Sequence, residues 1–353
     1  MIVLFSYDDL YNRVFNKTID ADKLVIITGY IGPPLVHDLE ELPYKTDIYV
    51  GMYGNNVGGV IHNNLIKLNK SNKININYTS FLVHSKCYIW LKENKVIKAL
   101  IGSANFSTIA LTTPKKEVLG DIPLENYEQM NVYMNLIIEN SYSVNDYSGN
   151  ITNNIYFDDI TRSINEKEVE ISLLASRKGA VNILGLETQA GDVPMASGLN
   201  WGFSDAQPLP NDAYFPIPAD LVRNNPLLFP PKNIDGNECV DAIWDDGVEM
   251  QILLEGTQEI DGKKYPKNIA SYKNKKILGV YLRKRIGDKL KKNLVLEEST
   301  KEELVRNVAI DKNKYFDKII NKNMLEEYGR NSINIKLIGD GLYYFDFSPK
   351  EDN

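Results

Sequence analysis

Three histidines occur in the chain, at positions 37, 62 and 84, and only the third stands among residues suited to chemistry. It opens the string His84-Ser-Lys86-Cys-Tyr-Ile-Trp90, and Leu100-Ile-Gly-Ser103-Ala-Asn105-Phe-Ser107 follows. Read as a strand, the first string puts His84 and Lys86 on one face, because side chains alternate along an extended chain. A second strand ending at Gly102 delivers Ser103 and Asn105 beside them. An imidazole, an ammonium, a hydroxyl and an amide then converge on one spot, a set suited to a phosphoryl group. The imidazole can attack phosphorus, while Lys86 and Asn105 bind the non-bridging oxygens whose charge must be stabilised in the transition state. A bare His-x-Lys is more often structural than catalytic, and Gly-Ser-x-Asn at hairpin distance is what sets His84 apart from His37 and His62. No paired spacing or acid cluster equips the histidines to hold a metal, so neither metal nor cofactor is expected.

The elements that must position these groups follow an α/β alternation over roughly the first 150 residues. Leu24–Thr28 and Asp47–Val50 read as buried strands separated by a helix over Pro34–Glu41. The glycine-rich turn Gly51–Gly59 leads to a helix over Val60–Leu68, and Ile74–Tyr78 alternates as a half-buried strand does. Cys87–Leu91 and Val96–Ile101 form a hairpin about Glu93-Asn94, with a helix after Asn105. The polar stretch Asn145–Asn154 marks a domain boundary, giving domains 1–150 and 151–353. Beyond it, short β-like runs (Glu168–Leu174, Val248–Leu254, Lys276–Leu282) are broken by prolines, as in a β-rich barrel or sandwich with helical inserts. Helical stretches recur near Lys301–Asn307 and Tyr315–Ile320, and Ile333–Leu337 with Tyr343–Phe347 forms a closing hairpin.

At 353 residues the chain has room for two domains, and 43% hydrophobic residues are enough for two cores, which excludes wholesale disorder. No apolar run reaches the roughly 18–20 residues of a membrane span, and the first residues lack the basic region of a signal peptide. The two cysteines, Cys87 and Cys239, are far apart, which argues against a disulfide scaffold and fits a reducing cytoplasm. The net charge of −7 conceals a basic segment: twelve lysines and arginines lie between Lys263 and Lys292, against Asp288 alone. Such a segment can bind nucleic acid within an acidic protein. On charge alone a solvated lysine-rich face is the plainer alternative.

The string His84-x-Lys86 followed by Gly102-Ser103-x-Asn105 resembles the phospholipase D superfamily signature, His-x-Lys-x(4)-Asp with Gly-Ser-x-Asn. The resemblance implies a histidine that becomes phosphorylated, a second histidine that protonates the leaving group, and no metal. Leu91 stands where the signature has Asp. The restriction-enzyme branch of the superfamily tolerates that loss and carries an acid about a dozen residues after the Asn, a slot that Glu117 fits, with Glu125 and Glu128 close behind. A superfamily site needs two motifs, and the single copy here implies a homodimer with the site shared across a two-fold axis.

A second resemblance covers the other half. Ser197-Gly-Leu-Asn-Trp-Gly202, Asn211-Asp-Ala-Tyr-Phe-Pro-Ile-Pro218, Phe229-Pro-Pro and Leu278–Gly287 are similar to the C-terminal domain of NgoFVII-type restriction endonucleases, a plant B3-like DNA-binding pseudobarrel that follows a phospholipase D-like nuclease. The implied DNA arms are Ser197–Pro210, with Asn200, Ser204, Asp205 and Gln207, and Tyr272–Arg285, with Lys273, Asn274, Tyr281, Arg283 and Arg285. If the second arm is a strand, Arg283 and Arg285 share a face as paired donors to guanine or phosphate. Family members tend to carry an arginine soon after Trp-Gly. Phe203-Ser-Asp-Ala-Gln207 stands here instead, so the target sequence stays open.

The expectation is a cytoplasmic, homodimeric, metal-independent, Type II-like restriction endonuclease acting on double-stranded DNA. Some relatives work with a separate helicase-like subunit, a partner the sequence leaves open. A lipid phosphodiesterase of the same superfamily is the first alternative, though no amphipathic basic helix supports it. A DNA-binding protein that does not cleave is the second.

Overall fold

The structure, a computed structural model, describes residues 5–53, 56–152, 168–206, 208–232, 237–339 and 341–350. Gln207, and parts of the Gly51–Gly59 turn and of the Asn145–Asn154 stretch, lie outside the described residues.

An eight-stranded mixed sheet organises the first half. Its centre is Lys23–Thr28, paired in parallel with Lys45–Val50 and antiparallel with Lys86–Lys92. Outward from there run Ile74–Thr79 and Ser141–Ser143 on one side, and Lys95–Gly102, Leu119–Asp121 and Phe5–Ser6 on the other. The three central strands, Lys23–Thr28, Lys45–Val50 and Lys86–Lys92, are buried on both faces over most of their length, which is why they read as largely apolar runs. Ile26, Tyr88, Trp90 and Leu100 pack to one side with the helix Gly59–Leu68. Val25, Ile27, Cys87, Ile89 and Ala99 pack to the other, under Met130, Met134 and Ile137 of the helix Tyr127–Glu139. The hairpin turns at Glu93 and Asn94, both at positive φ (49° and 60°), the geometry of a two-residue turn matched to strand twist.

The second half is built on a seven-stranded sheet in the order Val169–Ser172, Ser332–Gly339, Leu342–Asp346, Glu238–Trp244, Glu249–Glu255, Asn268–Ser271, Phe215–Pro216. Its pairings are antiparallel except that of Glu238–Trp244 with Leu342–Asp346. The expected closing hairpin is present.

Lys276–Leu282, expected as a β-like run, is instead the first half of a fifteen-residue helix, Lys276–Leu290. The β-branched and aromatic residues Ile277, Val280 and Tyr281 suggested a strand. Leu278, Leu282, Ile286 and Leu290 recur every four residues and bury one helical stripe on the sheet. Among the described residues, no helix is long and apolar enough to cross a membrane.

The two sheets meet across a buried seam. Ile243, Ile338 and Leu342 of the second sheet pack into the core of the first, and Ile109 of the first half packs into the core of the second. His37 reaches Glu249 at 3.1 Å, and Asp241 accepts hydrogen bonds from Thr108.

Candidate active site

The hairpin register sets Lys86 opposite Gly102, so the segments carrying the two strings leave the sheet side by side. His84 stands just before its strand, exposed to solvent, whereas Lys86 is buried and donates from Nζ to the His84 carbonyl at 2.7 Å. That bond ties the backbone of His84 to a cation.

Asn105 is held by the neighbouring strand end. Its Oδ1 accepts from the Tyr30 N–H at 3.2 Å and lies 3.4 Å from Thr28 Oγ1. Thr28 Oγ1 in turn accepts from the Phe106 N–H at 3.0 Å and donates to the Tyr30 carbonyl at 2.7 Å. Among the described residues, Asn105 Nδ2 has no hydrogen-bond partner, so the donor end of the amide is available to an anion. Gly29 lies between the two groups: a Cβ there would stand 3.0 Å from the His84 ring and 3.3 Å from Asn105 Oδ1. His84 and Asn105 therefore face one small gap, with the Tyr30 ring edge-on to the imidazole at 6.2 Å.

Ser103 does not point a spare hydroxyl at that gap. Its N–H donates to the Val118 carbonyl at 3.0 Å and its Oγ accepts from the Val118 N–H at 3.1 Å. Ser103 thus clasps the segment bearing Glu117. Gly102 is required by the same contact, since a Cβ would come within 1.9 Å of the Val118 carbonyl. Glu117 is half-buried and raises the Tyr88 hydroxyl's pKa through its charge, after the larger effect of burial, and that hydroxyl donates to the Ala104 carbonyl. The acid therefore belongs to the segment that Ser103 clasps, near enough to Tyr88 for its charge to be felt.

The arrangement offers an exposed imidazole beside an amide donor, with a buried ammonium behind, and it suits attack on a phosphorus atom. Thr28 and Tyr30, which orient Asn105, were missed in the sequence. Their one signal was the end of a buried strand. Among the described residues no group of three or more His, Cys, Asp or Glu is placed to hold a metal ion.

The expected DNA-contacting residues divide sharply. Arg283 is fully buried, donating to the carbonyls of Leu199 (3.0 Å), Leu294 (3.2 Å) and Lys318 (2.7 Å). Burial lowers its pKa to about 10. Asn200 is equally buried, clamped by Nδ2 to the carbonyls of Pro194 and Ile320, and Ser204 is 3% exposed. These three are corrections, because groups sealed in the core cannot reach a base edge. On a helix Arg283 and Arg285 point roughly 200° apart, so the shared strand face is corrected too. Arg285 forms a two-pronged ion pair with Asp245, and Tyr281 donates to Asp246 at 3.0 Å. Asp205, Lys273 and Asn274 are exposed. A hollow of about 380 Å³ brings the two arms together, lined by Trp201, Pro208, Lys273, Asn274 and Lys275.

Comparison with known proteins bears on both halves. Residues 8–153 match the NgoFVII restriction endonuclease N-terminal PLD domain, and residues 166–315 match the NgoFVII C-terminal B3-like DNA-binding domain. No curated protein matches the chain. Among solved structures, NucT from Helicobacter pylori aligns at 15% identity and TM-score 0.32, over 40% of this chain and 99% of that one. Nuc from Salmonella typhimurium, a phospholipase D family member, aligns at 16% identity and TM-score 0.31, over 40% and 97%. The first half is a phospholipase D-like α/β domain, and the second is a β-rich B3-like pseudobarrel with helical inserts.

Proposed function

The chain belongs to the NgoFVII restriction endonuclease family, a phospholipase D-like nuclease joined to a B3-like DNA-binding domain, and from that footing we propose a sequence-specific, metal-independent endonuclease working through a phosphohistidine. The observation that carries this reading is the gap at Gly29, where the ring of exposed His84 and the side-chain amide of Asn105 approach the same point. An imidazole nitrogen of His84 attacks the scissile phosphorus, a P–N bond forms, and the P–O bond to the leaving strand breaks. The departing oxygen takes its proton from His84 of a second copy. Water then cleaves the P–N bond and restores the imidazole, leaving a 3′-hydroxyl and a 5′-phosphate. Lys86 and Asn105 stabilise the oxygens that gain charge, and Glu117 completes the site.

Homodimerisation draws support from apolar side chains exposed beside the site. Phe81 and Leu82 lead directly into His84, and Ile101 lies on the paired strand, at 42%, 67% and 45% exposure. A group of this kind beside a site that needs a second histidine suits a two-fold contact. Asp205, Lys273 and Asn274 are the base- and phosphate-facing residues in this reading, and DNA as the substrate is consistent with a cytoplasmic enzyme.

Digestion of unmodified genomic DNA in excess EDTA, followed by sequencing of the ends, tests the proposal. Cleavage at a recurring sequence is expected, with His84→Ala reducing it at least 1,000-fold while gel-shift affinity stays within about three-fold. Strict dependence on added Mg²⁺, or turnover of phospholipid vesicles without DNA cleavage, overturns it.

A further inference from the structure

We propose that Asp241 is a positioning residue for the nuclease reaction: carried on the recognition sheet, it fixes the loop that presents Asn105 to the phosphate. The inference rests on the nuclease reading above. Asn105 is followed by Phe106, Ser107 and then Thr108, the first residue of the helix Thr108–Thr112. Within the nuclease half, the start of this loop is secured through Thr28, Tyr30 and the Gly32 N–H bond to the Phe106 carbonyl, while Ala110 and Leu111 pack the following helix into the core.

The other end is secured from across the seam. Thr108 donates its N–H at 3.2 Å and its hydroxyl at 2.5 Å to the two carboxylate oxygens of Asp241, which lies 133 residues away in the chain. Gln251, on the adjacent recognition strand, donates to the same hydroxyl at 3.1 Å. Ser107, which precedes the helix, makes no capping bond of its own, so the acceptor at this helix start comes from the other domain. Thr108 and Asp241 are 0% and 1% exposed, which leaves no room for water to replace either bond. A Cβ on Gly32 would meet Asp241 Oδ2 at 2.3 Å, so the carboxylate also backs the segment that bridges to Phe106.

Both ends of the Asn105 loop are thus fixed, one by the nuclease sheet and one by the DNA-recognition sheet. Loss of the second anchor shifts a transition-state donor without touching any DNA-facing residue, and displacement near 1 Å at a reacting centre costs about 100-fold in rate.

The test uses the full-length chain, with plasmid cleavage under single-turnover conditions and gel-shift on the same DNA. Asp241→Ala is expected to cut 10- to 100-fold more slowly with DNA affinity within two-fold, and Asp241→Asn, which keeps one acceptor, to recover most of the rate. Thr108→Val, which loses only the hydroxyl, is expected to slow cleavage as well. Combined with Asp241→Ala it should do little more than the stronger single change, because both cut the same contact. Should Asp241→Ala fail to fold, Thr108→Val decides by the same criteria. Folded variants that cut at the wild-type rate overturn the positioning role, as does a rate loss that tracks a loss of DNA affinity. Absence of cleavage by the wild-type chain overturns the nuclease reading itself.

Discussion

Among single residues, exposure separates His84 from Arg283, two residues that look alike as candidates in the sequence. His84 and Arg283 both stand in motif-like strings, yet His84 is open to solvent while Arg283 has none of its surface exposed and directs its terminal nitrogens to three main-chain carbonyls and the Asn200 side chain. Truncating Arg283 leaves those acceptors buried without partners, each at about 1–3 kcal/mol. Arg283→Met should therefore destabilise the chain by about 3 kcal/mol or more in urea unfolding, whereas exposed Lys284→Met should change it by less than about 0.5 kcal/mol. Loss of DNA affinity at unchanged stability in Arg283→Met would restore its assignment as a reader. The proximity of His84, Lys86, Ser103 and Asn105 was legible because they lie on or at the ends of one hairpin, where spacing alone dictates neighbours. Thr28, Tyr30 and Asp241 were not, since they reach Asn105 and Thr108 only through long-range packing that no local pattern records.

For whole elements, short-range rules held where the chain is alternating or strictly apolar and failed where two periods overlap. The hairpin at Glu93-Asn94 was readable from its flanking runs and its turn. Lys276–Leu290 was misread because branched residues at its start mimic a strand, while the four-residue spacing that defines its buried stripe becomes plain only over the full fifteen residues. The helix also carries a glycine where helix propensity favours alanine by about 1 kcal/mol. Packing reverses that preference at Gly279, since a Cβ there would lie 1.7 Å from the Asn211 carbonyl, held at the foot of the first arm. Gly279→Ala is thus expected to cost more than about 2 kcal/mol in urea unfolding rather than to stabilise. A gain in stability would show that the helix does not press against Asn211.

Across the whole molecule, the seam between the sheets holds ionisable groups whose surroundings make docking sensitive to pH. Burial raises the Asp241 carboxyl to about 7, more than its bonds to Thr108 lower it, and Glu249 and Asp38 add to the rise. A carboxyl raised in the folded state contributes stability that is fully present below its unfolded value, near 4, and is lost as pH climbs through 7. His37 acts in the same direction. Its hydrogen bond to Glu249 raises its pKa, so its contribution is present in mild acid and lost above its folded value, though the 62% exposure of its side chain weakens the pair. The full chain should therefore lose stability at up to about 1 kcal/mol per pH unit between pH 5 and 7, relative to Asp241→Asn measured alongside. His37→Gln should remove only a minor part of that slope. The comparison isolates the seam because both proteins share every other titrating group. Parallel stability profiles for the wild type and Asp241→Asn would mean that the carboxyl is ionised and well solvated, with the two sheets packed less closely than the geometry at Thr108 requires.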